Sequence, residues 1–429
     1  MRYLLPATVC FLTLSLSLSR AQSTLDECKE LARANYPAIR QYSLIEKTKE
    51  YTLKNAAMDW IPKITLGAQF TMQNKVPKFP DQFDNLLAAA GVEMPGMKKE
   101  QYKATVDVSQ TIWDGGKYAA DKQLALAEAK ESQGSVDVEL YSLNGRIEEI
   151  YFGILLLNNK IELTKNKIAL LESNLAQARS HVSNGTALQA DADAIEAEMI
   201  AARQGLTKMT SAADSYLKML EIFTGTKIDG SSLVLPDIPE ITSRVNRRPE
   251  MAYIDAKIMK LKAQEKLLNV SSVPQIGLFA QAYYGYPGFD YFDGMMHNNM
   301  SFNAIAGIRL IWNISSFLTK KNNIENIRSA RSTLEVQKDI FDFNTNLQAL
   351  GQNNEIERLQ AELADDDRIV ALRKNVRLAA ESKLRNGVID TNDLLMKITA
   401  ENEAIINRTE HEILLIKKAY ELRNTTNSK

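Results

Sequence analysis

The sequence predicts a mainly α-helical protein with a small β part, in which a unit of two strands and one long helical hairpin occurs twice. Three observations predict this class: a duplicated series of landmark residues, four segments in which apolar and polar residues alternate, and two long stretches without proline. The proline-free stretches lie between Pro95 and Pro236 and after Pro287. Because proline disrupts helix interiors, each stretch has room for a hairpin of two long helices.

The duplication is visible as four pairs of landmarks in the same order. The pairs are Pro37 with Pro249, Ala57–Gln69 with Ser271–Gln281, Ile112-Trp113 with Ile311-Trp312, and Asn184-Gly185 with Asn386-Gly387. A shared order of several landmarks is the signature of an internal repeat. We therefore predict a first repeat over residues 22–235 and a second repeat over residues 236–429.

Each repeat contains two segments that are predicted to be β-strands. These segments are about 62–72 and 102–113 in the first repeat, and about 275–285 and 299–313 in the second. In the first segment Ile64, Leu66 and Phe70 fall on one face, and Lys63 and Thr65 fall on the other. Each segment is about ten residues long, which is the length of a tilted strand that spans a bilayer.

Two architectures fit these strands. They could form half of a soluble β-sandwich, or part of a membrane β-barrel. The smallest such barrels have about eight strands, so four strands would have to be completed by other subunits. The rest of the chain is helix with its own apolar seam, which favours the barrel. Aligning Trp113 with Trp312 puts the apolar faces of the second and fourth strands out of phase by one residue. This mismatch predicts either a bulge or a different register.

Two helical hairpins are predicted at about 116–224 and about 317–423. Apolar residues recur with alternating spacings of three and four, which is typical of a coiled-coil seam. In the first hairpin this series includes Leu143, Ile147, Ile150, Ile154, Leu157, Ile161, Ile168, Leu171, Leu175, Ala178 and Val182. In the second, less regular hairpin it includes Ile369, Leu372, Val376 and Ala379. The stretch from Lys117 to Val182 would extend on the order of 100 Å, and its charged positions, such as Glu148, are expected to be solvated or to face the lumen.

The first residues have the composition of a secretory signal. Arg2 precedes an apolar stretch from Leu4 to Leu18, and small residues lie around a cleavage point after Ala21. We therefore expect residues 1–21 to be a signal peptide. Cys28 is then the single cysteine of the mature chain, which excludes an intramolecular disulfide.

Composition also limits the partners. The formal net charge is −1 and 24% of the residues are charged, so the chain lacks the basic excess that nucleic-acid binding requires. No segment after the signal approaches the roughly 18 consecutive apolar residues of a membrane helix. If the mature chain crosses a bilayer, we expect it to do so as a β-barrel.

Two motifs in this frame resemble the TolC-like outer-membrane efflux family. The segment from Thr24 to Pro37 resembles the N-terminal helix of the family, and Trp113–Lys117 resembles the junction between a barrel strand and a long helix. The second repeat departs from this pattern, with Ile314-Ser315-Ser316 where the first has a glycine pair. The resemblance extends over essentially the whole mature chain. It implies a trimeric 12-stranded membrane β-barrel that is continued by a periplasmic α-helical tunnel.

The resemblance also implies two kinds of site at the hairpin turns. The tips would dock a periplasmic adaptor protein, and the tip residues are Ser183, Asn184, Gly185, Thr186, Arg385, Asn386, Gly387 and Val388. Asn-Gly also suits a tight turn for purely conformational reasons. The pore constriction would consist of Asp191, Asp390 and Asp393. The alternative for these carboxylates is a solvated first helical turn, which the helix dipole favours.

No arrangement of residues predicts an enzyme. His181, His297 and His411 lack the spacing of metal ligands, and Ser215 and Lys218 match S-x-x-K without the motifs that accompany it in known enzymes. The aromatic and basic latch residues of the best-known family gates are replaced by Leu384 and Ile389. We therefore expect no catalytic residues, no cofactor and no metal site.

The sequence therefore predicts the outer-membrane channel of a tripartite efflux or secretion system, which passively conducts substrates from an inner-membrane pump across the periplasm and the outer membrane. Its expected partners are two further copies of itself, a periplasmic adaptor (membrane fusion) protein, an inner-membrane transporter of RND or ABC type, and outer-membrane lipid. Nucleic acid is not among them. The alternative is a secreted or surface coiled-coil structural protein, for which the helices alone would suffice.

Overall fold

A computed structural model describes residues 23–92, 96–240 and 246–427. The predicted signal peptide, residues 1–21, lies outside the described residues. The chain divides into two compact units, and each contains segments of both predicted repeats. We name the unit that contains residues 136–249 and 340–429 the hairpin unit, and the unit that contains residues 40–135 and 250–339 the sheet unit.

The order of elements repeats along the chain. The elements are α1 (Leu25–Asn35), α2 (Gln41–Ala57), β1 (Lys63–Met72), α3 (Asp81–Ala89), β2 (Glu100–Trp113), α4 (Lys117–Ser183), α5 (Gln189–Thr224), α6 (Pro249–Val270), β3 (Gln275–Tyr286), α7 (Tyr291–His297), β4 (Ser301–Ile311), α8 (Ser316–Arg385) and α9 (Thr391–Thr426). Helix, strand, short helix, strand and two long helices occur twice in succession. Local chemistry sets the helix starts: at α1, Thr24 Oγ1 accepts from Glu27 N at 3.3 Å and Glu27 Oε2 accepts from Thr24 N at 3.0 Å.

The sheet is antiparallel throughout, in the order β1-β2-β3-β4. Its register places Leu66 opposite Val106, Val106 opposite Ala282, and Ala282 opposite Ala304. The apolar sides of all four strands therefore share one face of the sheet. This apolar face is exposed within the chain, with Ile308 73% exposed and Leu66 77% exposed. No second sheet of the described residues covers it, so the half-sandwich with a buried core is not what this chain forms.

A β-bulge explains the phase mismatch between the two repeats. Thr111 pairs with Gly277 and Trp113 pairs with Ile276, so Ile112 is an extra residue in β2. The bulge returns Trp113 to the apolar face, the same face that Trp312 continues after Leu310. Of the two explanations that the sequence left open, the bulge is confirmed.

The hairpin unit has its apolar core between α1, α4, α5 and α9. Tyr151 and Phe152 of α4 are fully buried there, and Tyr151 Oη lies within hydrogen-bonding distance of the carbonyl oxygens of Ser23, at 2.9 Å, and Val234, at 2.7 Å. Burial raises the pKa of the Cys28 thiol to about 11, which keeps it protonated and unreactive at neutral pH. Among the described residues, no helix is both long enough and apolar enough to cross a membrane.

Two expectations for the long helices were wrong. Glu148 is buried, not solvated, because Lys29 of α1 and Asn424 of α9 bind its carboxylate from elements distant in sequence. Burial raises the pKa of Glu148 above its usual value despite the charge of Lys29. In α8, Leu372 and Val376 are exposed within the chain, although they had been assigned to the hairpin seam.

Candidate functional site at the hairpin turns

Both hairpins turn through the same backbone arrangement. Gly185 and Gly387 have φ values of +68° and +70°, a left-handed conformation that glycine adopts at the end of a helix. Thr186 N donates to His181 O and Val388 N donates to Lys383 O, each at 2.9 Å. In addition, Gly185 N donates to Val182 O and Gly387 N donates to Leu384 O, each three residues back. The two bonds at each turn together form a Schellman motif. The conformational role of the Asn-Gly pairs is therefore present in both turns.

The eight predicted tip residues are all exposed, and apolar side chains lie beside them. Leu188 follows the first turn and is 72% exposed, whereas Val388, itself a tip residue, is 68% exposed. Solvent-exposed aliphatic side chains at the ends of two long hairpins form a surface that a partner could cover. The structure shows this surface without a partner chain, so the docking role stays a prediction.

The three predicted pore aspartates lie in the first turns of the return helices. Asp191 Oδ2 accepts from Leu188 N at 3.0 Å, and Asp390 Oδ1 accepts from Asp393 N at 2.8 Å. Two of the three carboxylates therefore cap helices, which is the role that the helix-dipole alternative assigned to them. Within the described part of the chain, the carboxylate of Asp393 forms no hydrogen bond or ion pair.

The capping bonds of Asp191 and Asp390 do not use all of their carboxylate oxygens. One carboxylate oxygen of Asp191 accepts no hydrogen bond within the described residues, and Asp390 is exposed. Asp390 and Asp393 adjoin each other at one turn, while Asp191 lies in the other hairpin. The chain therefore presents one carboxylate at the first return helix and two at the second, and their role in a pore constriction stays a prediction.

Charged pairs join the two helices of each hairpin, and the sequence analysis missed them. In the first hairpin, Lys167 binds Glu198 at 2.7 Å and Arg203 binds Glu172 at 2.6 Å. In the second, Arg377 binds both Glu401 and Glu381. Burial alone would lower the pKa of Arg377, but its hydrogen bonds to these carboxylates raise the pKa above its usual value.

A second polar contact in the second hairpin joins His411 Nδ1 to Asp366 Oδ2 at 2.7 Å. Asp366 and Glu401 are both 8% exposed, so this hairpin has carboxylates inside its helix interface. Residue type alone gave no signal for these pairs. Their partners are about 24 to 45 positions away along the chain, on the facing helix.

The two hairpins also contact each other within the hairpin unit. Lys160 of α4 binds Glu410 of α9 at 2.8 Å. Leu170 of α4 packs against the apolar cluster of Ala380, Leu394 and Ile398, which lies in the second hairpin. Leu384 and Ile389, which replace the latch residues of the best-known gates, pack against the same cluster. Both side chains therefore form apolar contacts within the second hairpin.

Comparison with known proteins shows which family and which solved structures the chain resembles. Residues 29–226 match the model of the family described as outer membrane efflux protein. No protein of curated function matches the sequence of the chain.

Solved structures share the fold at low sequence identity. The outer-membrane channel OprN is 12% identical with a TM-score of 0.68, over 94% of this chain and 90% of that chain. The outer membrane protein VceC of Vibrio cholerae is 12% identical with a TM-score of 0.67, over 94% of this chain and 96% of that chain. The outer membrane channel CmeC of Campylobacter jejuni is 12% identical with a TM-score of 0.66, over 94% of this chain and 85% of that chain. Residues 29–226 therefore resemble the outer membrane efflux protein family, and the chain shares its fold with TolC-like outer-membrane channels.

Proposed function

We propose that the chain is the outer-membrane channel of a tripartite efflux or secretion system, which passively conducts substrates delivered by an inner-membrane pump. The observation that supports this most directly is the apolar face of the sheet. Four of its side chains, Ile64, Phe70, Phe302 and Leu310, are more than 60% exposed. A contiguous exposed apolar face of this kind indicates contact with lipid or with another protein, and strands of ten to fourteen residues are long enough to span a bilayer.

We propose that three copies complete the structure. β1 and β4 are the edges of the sheet, and within the described residues each has a free side. Three copies of a four-stranded sheet give the 12 strands of a closed barrel. In support, α8 has an exposed apolar stripe with spacings of four and three, formed by Val336, Ile340, Phe343, Leu347 and Leu350. This stripe has the spacing of a coiled-coil seam and needs a neighbouring helix to cover it.

In this assembly the hairpins would form a periplasmic tunnel. The eight tip residues would dock a periplasmic adaptor (membrane fusion) protein, and an inner-membrane transporter of RND or ABC type would supply the substrate. Asp191, Asp390 and Asp393 would approach their symmetry copies and constrict the pore. Carboxylates brought together by threefold symmetry repel one another and attract cations. The protein would then reside in the outer membrane and extend into the periplasm.

Single-channel conductance in a planar bilayer tests this proposal. We expect a small cation-selective conductance that divalent cations block, and we expect Asp393→Ala and Asp191→Ala to weaken that block. Asp193→Ala is the matched control, because Asp193 is exposed on the same first turns of α5 and accepts a hydrogen bond from Gln189 at 2.8 Å. Equal block in all four proteins would show that the constriction lies elsewhere. A protein that neither inserts nor forms trimers would contradict the channel itself.

The alternative function, a secreted or surface coiled-coil structural protein, makes a different prediction. Such a rod should be extracted from the cell envelope by salt or urea, whereas a channel should need detergent and should migrate as a trimer. The exposed apolar face of the sheet favours the channel, because a water-soluble rod would leave this face in contact with water.

A further inference from the structure

The two junctions between a strand and a long helix differ in charge. Residues 113–122 contain Asp114, Lys117, Asp121 and Lys122, and their formal charges cancel. The corresponding residues of the second repeat, 312–321, contain Lys320 and Lys321 and no acidic residue, so their formal charge is +2. At equivalent positions the second junction has Asn313 in place of Asp114 and Lys320 in place of Asp121.

The structure shows the consequence for the first junction. Lys117 Nζ binds Asp121 at 2.8 Å and lies 3.7 Å from Asp59, which also binds Lys63. These contacts raise the pKa of Lys117: the hydrogen bond to Asp121 contributes most, and the nearby charges of Asp121 and Asp59 act in the same direction. The ammonium group is therefore neutralised by carboxylates of the same chain.

The lysines of the second junction have no such partners. Lys320 Nζ donates to Ser272 Oγ at 2.7 Å and to the carbonyl oxygen of Asn269 at 3.3 Å. Within the described part of the chain, neither Lys320 nor Lys321 forms an ion pair with a carboxylate. The nearest acidic residue along the helix, Glu325, binds Arg328 at 2.7 Å. Two positive charges therefore remain available to an anion.

These charges lie at the end of the apolar face of the sheet. Trp312 continues that face after Ile308 and Leu310, and its ring contacts Phe317 edge-on at 6.4 Å. Lys320 Nζ lies 5.6 Å from the centre of the Phe317 ring. Trp312 and Phe317 are both about half exposed. Aromatic rings beside lysines are the side chains that proteins place where the hydrocarbon of a bilayer meets its headgroups.

The exposed face of α8 continues this surface. Phe317, Lys321, Ile324 and Arg328 follow one another at spacings of four and three, so they share one face of the helix. A shallow groove of about 350 Å³ runs along these residues. Its lining combines the apolar side chains of Phe317 and Ile324 with Lys320, Lys321 and the ion pair of Glu325 with Arg328. The two lysines keep the lining positive, so the groove complements the acyl chain and the phosphate of a phospholipid.

We propose that the junction of Trp312, Phe317, Lys320 and Lys321 binds the headgroup of an anionic phospholipid, whereas the first junction has no such preference. The inference rests on the proposed function, since it requires the apolar face of the sheet to contact lipid. Continuity with that face and the uncompensated positive charge together identify a lipid, in preference to an acidic protein, as the occupant. In each trimer there would be three such sites.

Tryptophan quenching by brominated lipid tests the site. The chain has three tryptophans, so Trp60→Phe with Trp113→Phe leaves Trp312 as the only reporter, and Trp60→Phe with Trp312→Phe leaves Trp113. Each full-length protein is reconstituted in mixed vesicles in which either phosphatidylglycerol or phosphatidylcholine carries bromine. The ratio of quenching gives the relative affinity for the anionic lipid.

We expect Trp312 to report a preference for phosphatidylglycerol, and Trp113 to report almost none. Lys321→Gln should reduce the preference at Trp312 about fivefold, because a lysine near an anionic surface contributes about 1 kcal/mol. Lys321 is the residue to change, because it is exposed, whereas Lys320 forms hydrogen bonds to Ser272 and Asn269 that a substitution would remove. Lys122→Gln, at the equivalent position of the first repeat, is the matched control and should change neither reporter.

Two results would contradict the inference, and they are distinguishable. If Trp312 is quenched but Lys321→Gln leaves the lipid preference unchanged, the anionic site is wrong while the membrane location stands. If brominated lipid quenches neither tryptophan, the apolar face does not contact lipid and the proposed channel fails with it.

Discussion

The two helical hairpins follow the same plan but differ in what lies between their helices. The first, α4 with α5, buries an apolar seam in which Leu171 is 0% exposed and Ile195 is 2% exposed. The second, α8 with α9, has a shorter apolar cluster of Ala380, Leu394 and Ile398, and it buries Asp366 and Glu401 beside their charged partners. The interior of the first hairpin is therefore apolar, whereas the interior of the second also contains carboxylates that are bound by partners on the facing helix.

Several apolar residues of the second hairpin lie on the exposed face of α8 and not between α8 and α9. Ile369, Leu372 and Val376 lie on an exposed face of α8, as do Phe343 and Leu347. A buried ion pair stabilises less than apolar packing of similar volume, because both charges lose water. We infer that the first hairpin is stable within one chain, and that the second reaches its full stability only when neighbouring copies cover α8.

The largest expected effect concerns the outer face of α8. The double change Phe343→Asp with Leu347→Asp should prevent trimer formation while the helices of the single chain persist, because charges would replace the stripe that a neighbouring helix covers. Molar mass by light scattering in detergent, together with circular dichroism, measures both quantities. The control, Asn344→Asp with Gln348→Asp, adds the same charge at exposed polar positions one residue further along and should remain trimeric. A trimeric Phe343/Leu347 variant would contradict the assignment of this face.

An intermediate effect is expected from the ion pairs inside the second hairpin. Arg377→Ala leaves the nearly buried Glu401 without its cation, which should lower the free energy of unfolding by about 2 to 3 kcal/mol. Urea unfolding in detergent, followed by circular dichroism, measures the change. Arg358→Ala removes a fully exposed arginine of the same helix that pairs with Glu355 and Glu362, and it should leave the midpoint unchanged. Equal effects of the two variants would mean that the second hairpin does not depend on its buried pair.

The smallest expected changes in the free energy of unfolding come from the turn glycines, and they should be equal in the two hairpins. Gly185→Ala and Gly387→Ala each place a Cβ in a left-handed conformation, so each should cost about 1 kcal/mol of unfolding free energy. Gly205→Ala, inside α5 where an added Cβ meets no atom within 4 Å, should instead stabilise the protein by up to about 1 kcal/mol. The same unfolding experiment applies. A markedly larger loss for one turn glycine would show that the two tips are not equivalent.

Much of the fold followed from local patterns. The period-two segments become the four strands, and the proline-free stretches become α4–α5 and α8–α9. The turn glycines adopt the positive φ that Asn-Gly predicted, because only local sterics decide it. Even the one-residue mismatch between Trp113 and Trp312 was visible in the sequence, although the bulge that resolves it was only one of two explanations.

Pairings between distant residues could not be read in this way. Glu148 looked like a solvated position of a helix, but Lys29 and Asn424, 119 and 276 residues away, bury and bind it. The apolar positions of α8 looked like a hairpin seam, but α9 covers another face of that helix. For the candidate site, the sequence supplied the aspartates and the turn residues, and the structure supplied their capping bonds.

The sequence by itself determined the helices and strands, their duplication, and which residues form the apolar and polar faces of each strand, because periodicity and turn chemistry act over a few residues. Only the tertiary structure decided which apolar face is covered and which stays open, since that depends on contacts between elements far apart in the chain. The strands share one common apolar face through their register, and α8 has an uncovered apolar stripe because α9 packs against another face of that helix. In the proposed channel, lipid would cover the first of these open surfaces and neighbouring copies the second.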